Sequence, residues 1–125
     1  MIFFNIGLQG LLAASGHILM PNTIAEQIGW PTGSPFQFEI GIANLAVGVA
    51  GVMCVWFGAG FKLATVLINS IFLFGAAYGH FVQQAKGDIA PLNTGVFLYF
   101  GDIIIPAIIL VLMLYYYMKF GKSTK

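Results

Sequence analysis

Four ionisable side chains stand inside stretches that are otherwise apolar: His17, Glu39, His80 and Asp102. Imidazoles and carboxylates hold divalent metal ions and pass protons to bound molecules near neutral pH. Their order is regular. A histidine comes late in one apolar run and a carboxylate early in the next, and the alternation occurs twice. An ionisable group in hydrocarbon costs about 3 kcal/mol, which makes each a functional-site hypothesis by default. Asn44, Tyr99 and Asn93 are polar neighbours that can add hydrogen bonds.

The set admits several chemistries. Two carboxylates and two imidazoles can bind an ion of the Zn²⁺ or Fe²⁺ type, or donate and accept protons at a small-molecule site. The spacing contains no H-x-x-x-H or E-x-x-H. A di-iron centre needs four carboxylates and two histidines, more than this chain offers. Haem held by His17 and His80 has room beside Ala13, Ala14 and Ala76, but two carboxylates next to an apolar ring argue against it. The competing reading is that histidine–carboxylate pairs only pin helices, as in an accessory subunit of a membrane complex. The pattern does not decide whether a reaction is catalysed.

These residues need elements to hold them, and composition says what kind. Of 125 residues 59% are apolar and 7% are charged, against about 25% charged in a soluble domain. The chain expected is therefore an all-α membrane protein of one domain. Its net charge of +1 carries no basic stripe for nucleic acid. The single cysteine, Cys54, excludes an internal disulfide and reads as a small packing residue.

Four runs suit a hydrocarbon layer of about 30 Å: Ile2 to Met20, Pro35 to Phe57, Lys62 to Gln84 and Asn93 to Met118. The first lacks a basic leader and reads as a span, not a cleaved signal peptide. Pro21 stops it. Thr23-x-x-Glu26 then predicts a capped interfacial helix, and Trp30 an interface anchor, so that Asn22 to Trp30 covers the site. Ser34-Pro35-x-Gln37 predicts a capping box at the second span. Small residues Ala43, Ala46 and Ala50 continue the face of Glu39 and permit close helix approach.

Gly58-Ala59-Gly60 predicts a tight turn into the third span. There Asn69, Leu73, Ala76 and His80 share a face, and Gly75-x-x-x-Gly79 is a packing signal. Asn5, Gln9, Asn69 and Ser70 read as interhelical hydrogen-bonding groups. In the fourth span Asn93 or Thr94 is the predicted N-cap. Pro106 deprives the Asp102 carbonyl of its helical partner and predicts a kink, and Tyr99 shares the face of Asp102. Tyr115, Tyr116 and Tyr117 form an aromatic belt before Lys119, Lys122 and Lys125.

An up-down-up-down bundle of four transmembrane helices follows. Lys62, Lys119, Lys122 and Lys125 fall on the side of the termini and Lys86 on the other, which predicts cytoplasmic termini. His17, Glu39, His80 and Asp102 then share the outer half of the bilayer and are expected to converge on one inward-facing site. Spans this short, with small-residue stripes, predict a homo-oligomer or a place in a larger complex.

Gln37-x-Glu39-x4-Asn44, Gly79-His80, Ala90-Pro91-Leu92-Asn93-x-Gly95 and Asp102-x3-Pro106 carry a resemblance. Over about 70 residues, the chain resembles an uncharacterised family of small four-span prokaryotic membrane proteins, a domain of unknown function. The resemblance implies a four-helix membrane bundle of unassigned activity in a prokaryotic inner (plasma) membrane. A looser similarity to four-span families of quinone-linked redox chemistry transfers no residue roles.

Overall fold

Glycine decides how the first half packs. In the computed structural model, which describes residues 1–121, α1 (Phe3–Leu19) lies antiparallel to α3 (Phe36–Met53). Gly7 meets Gly51 and Val52, Gly10 meets Gly48, and Gly41 meets His17 and Ile18. A methyl group added at Gly10 would sit 2.7 Å from the Gly48 Cα, and one at Gly48 would sit 2.7 Å from the Leu11 nitrogen. The two backbones touch, which only glycine permits.

The buried stripe of α3 is therefore Gln37, Gly41, Gly48 and Gly51, with Asn44 half-buried between them. Steps of three and four residues give the seam geometry of helices packed nearly side by side. The predicted stripe was a different one. Ala43 and Ala46 are exposed, because they lie off this seam.

Between these helices the chain turns through 108° into a short helix, α2 (Pro21–Gln27). Pro21 opens it, where a missing N–H costs nothing. Thr23 therefore lies inside the helix, and the predicted Thr23–Glu26 capping box does not form. Trp30 donates its N–H to the Ala25 carbonyl and Gly29 to that of Glu26, a glycine-dependent helix end with Gly29 at φ 72°. Trp30 then packs on Phe36.

The second half is the pair α4 (Ala59–Ala85) and α5 (Phe97–Phe120). The turn before α4 comes earlier than predicted, because α3 ends at Met53 and Cys54 is its buried C-cap, a free thiol. Ile6, Val66, Ile109 and Met113 form the apolar core, with Val47 packed against it, so all four long helices contribute. Ser70 donates to the Pro106 carbonyl across α4 and α5. The predicted kink at Pro106 takes another form. Phe97–Ile104 is π-helical, and the widened turns absorb the missing N–H while the helix runs on to Phe120.

The two long loops meet. Gly87 ends α4 as Gly29 ends α2, with Asp88 donating to the Gln83 carbonyl. A side chain on Gly29 would collide with the Asp88 carboxylate. α2 packs on the 3₁₀ turn Pro91–Asn93, and Ala25 is wholly buried there.

The outer surface is apolar on every long helix, with Phe4, Leu12, Val49, Ile71 and Val111 among the exposed side chains. Soluble monomers do not expose apolar surface on this scale. Three helices are long and apolar enough to cross a membrane, four if α1 and α2 count as one broken span. The chain has the build of an integral membrane protein. Lys62 and Lys119 lie within the described residues, whereas Lys122 and Lys125 lie outside them.

Candidate functional site

Each histidine is held by a side-chain amide. His17, in the last turn of α1, has its Nδ1 at 2.6 Å from Gln37 Oε1 at the start of α3. A carbonyl oxygen can only accept, so the proton of this bond is on Nδ1 and the Nε2 of neutral His17 keeps its lone pair. Gln37 is 1% exposed, and its Nε2 has no partner among the described residues. Leaving such a donor unpaired costs about 1–3 kcal/mol.

Beside this pair opens a cleft of about 250 Å³, lined in part by His17, Ile18, Asn22, Ser34, Gln37 and Phe38. Of the Asn22 to Trp30 stretch expected to cover the site, Asn22 alone lines it, and two hydrogen bonds hold the two ends of the 21–35 segment in its wall. Gly33 donates to Asn22 Oδ1 at 2.9 Å, and Phe36 donates to Ser34 Oγ at 3.2 Å. Ser34 thus does bond the opening turn of α3. Gln37 does not complete the capping box, because its side chain is committed to His17.

The second histidine faces a carboxylate as well as an amide. His80 Nδ1 lies 2.5 Å from Asn93 Oδ1, and its Nε2 lies 3.8 Å from Asp102 Oδ2, an ion-pair distance when the ring is protonated. Gln84 Nε2 donates to the Asn93 carbonyl at 3.3 Å. Asn93 is wholly buried, and its Nδ2 also has no partner among the described residues. It is no N-cap: it sits in the 3₁₀ turn ahead of α5.

A family model described as a family of unknown function (DUF6790) matches residues 1–121. The chain belongs to that family. No curated protein and no solved structure matches it.

Across the DUF6790 chain, the four predicted site residues stand in two places. His80 and Asp102 come together, and His17 lines the cleft. Glu39 is exposed and joins neither. The reason is helical geometry: at about 100° per residue, positions 37 and 39 point to nearly opposite sides of α3. The glycine seam turns Gln37 inward and so turns Glu39 out.

Among the described residues no group of three or more His, Cys, Asp or Glu side chains can hold a metal ion. The supporting residues also differ from expectation. Asn44 donates to the Ile40 carbonyl of its own helix, and Tyr99 is exposed and packs beside Phe81. Asn5 bonds back to Met1, and Gln9 is exposed.

Sequence reasoning missed Gln37 as the partner of His17; Asn93, expected as a supporting residue, bonds His80. One signal was present. Gln37, Gly41, Gly48 and Gly51 lie on one helical face, and a glycine seam is where a facing helix comes closest.

Proposed function

We propose that this is a membrane protein that binds a small polar ligand in the cleft beside His17, at the end of the fold carrying the two long loops. The observation behind it is the His17–Gln37 pair. Its hydrogen bond leaves one imidazole nitrogen and one buried amide N–H group uncommitted next to an opening of about 250 Å³. In this reading the chain crosses the bilayer four times, up-down-up-down, with cytoplasmic termini in a prokaryotic inner membrane. The distribution of lysines supports that orientation. The His80–Asn93–Asp102 group, with one ring nitrogen bonded to Asn93 and the other facing the Asp102 carboxylate, serves as the pin that holds α4, α5 and the loop between them.

A second reading is supported by that same group. If both histidines act only as pins, the chain is an accessory subunit of a larger membrane complex. Association with a second copy or another subunit would use the outward face of α4, where Gly75 and Gly79 meet open space.

The ring ¹⁵N resonances of His17 and His80 separate the readings. Full-length protein in lipid nanodiscs would be exposed to a panel of small alcohols, amines, sugars, amino acids and carboxylic acids. Saturable shifts at His17, with His80 unmoved, are expected. Silence at His17 throughout the panel would leave the accessory reading.

A further inference from the structure

The binding groups around the cleft are unequal in kind, and the inequality selects a ligand class. Gln37 presents a buried amide N–H group with no acceptor. Asn22 uses its Oδ1 on the Gly33 N–H, which leaves its own N–H₂ as a donor. Ser34 accepts from Phe36 through Oγ, which leaves its O–H as a donor. The start of α3, an 18-residue helix, lies in the same wall at Pro35, Gln37 and Phe38 and carries the positive end of the helix dipole. His17 adds a nitrogen that accepts when neutral and donates when protonated. No acidic side chain lines the opening. Glu39, the nearest carboxylate in sequence, is exposed on the far side of α3.

Three donors, a ring nitrogen that donates once protonated, a helix N-terminus and no carboxylate describe an anion site. Among the described residues the lining also lacks lysine and arginine, which a phosphate dianion would need for neutralisation. Ile18, Pro21 and Phe38 supply apolar wall. A volume of about 250 Å³ lies just under the roughly 300–1,000 Å³ of drug-sized ligand pockets.

We infer that the cleft binds a small monocarboxylate with a short aliphatic chain, its carboxylate oxygens accepting from the Gln37 N–H and from the Nε2–H of the protonated His17 ring. This rests on the reading of the cleft as a ligand site. It adds the chemical class.

The test uses full-length protein in nanodiscs with ¹⁵N-labelled histidine, titrated with butyrate, 1-butanol and butylammonium, which share a chain length and differ in charge. Butyrate is expected to shift the His17 ring signals saturably and the other two to leave them in place. Gln37→Met is expected to weaken butyrate about tenfold or more, the value of one hydrogen bond to a charged group. Should Gln37→Met fail to fold, Asn22→Ala, an exposed position on α2, is expected to weaken it several-fold. Shifts with butanol or butylammonium that match or exceed those with butyrate would overturn the carboxylate class and leave the cleft a ligand site. So would silence of all three probes while another member of the wider panel moves His17. Silence of everything would overturn both.

Discussion

The two halves of this molecule hold a histidine in the same way and leave it with different freedom. In the first, α1 and α3 are drawn together by glycine until their backbones touch, and His17 is tied by one nitrogen beside an open cleft. In the second, α4 and α5 pack through larger side chains around Val66, Ile109 and Met113. There His80 is bonded by Asn93 at one nitrogen and has the Asp102 carboxylate 3.8 Å from the other. The difference lies in the second polar partner. A carboxylate stands opposite His80, whereas the equivalent carboxylate of the first half, Glu39, faces outward. A histidine set between an amide and a carboxylate ties helices together, and one whose second nitrogen faces a cleft can meet a ligand.

The halves can be broken separately. The largest effect is expected at the glycine seam. Gly48→Leu forces a side chain into the α1 backbone and should lower unfolding stability by about 3 kcal/mol or more, read by reversible unfolding in mixed detergent. Gly75→Leu, at a glycine facing open space, should cost well under 1 kcal/mol in the same assay.

Next comes the pin. Asn93→Leu removes the partner of a half-buried imidazole and should cost about 1–3 kcal/mol. His17 signals and any butyrate response should persist. Gln37→Leu should cost a similar amount, because each amide takes one histidine bond and one unpaired donor away with it, but here the response at His17 is lost.

Gly29→Ala places a side chain at φ 72° and against Asp88 where the loops of the two halves meet. About 1 kcal/mol is expected, with faster hydrogen exchange in α2. Glu39→Gln should be the mildest change, within about 0.5 kcal/mol and without effect on His17, because the side chain is exposed. A large effect there would mean that the first half holds its carboxylate as the second does, and the comparison would fail.

Much of the architecture was legible. The apolar runs became helices of nearly the expected extent, since length and composition are local properties. The breaks at Pro21 and at the loop around Gly87 were legible for the same reason. The pairing of His80 with Asp102 was half legible: both lie near the same loop, on faces that the helical repeat assigns. The role of Pro106 was seen as a lost hydrogen bond, and its resolution as a π-helical stretch was not. Gln37 was misread as a capping residue, because S-x-x-Q is satisfied locally unless a nearby group offers a better partner.

The sequence by itself determined that this chain is helical and apolar enough for a membrane, and that two histidines stand late in their helices. Tertiary structure alone decided what those histidines meet. A helix repeats every 3.6 residues, so choosing which face looks inward chooses between Gln37 and Glu39. That choice belongs to the glycine contact with α1, a property of two helices together and of neither alone.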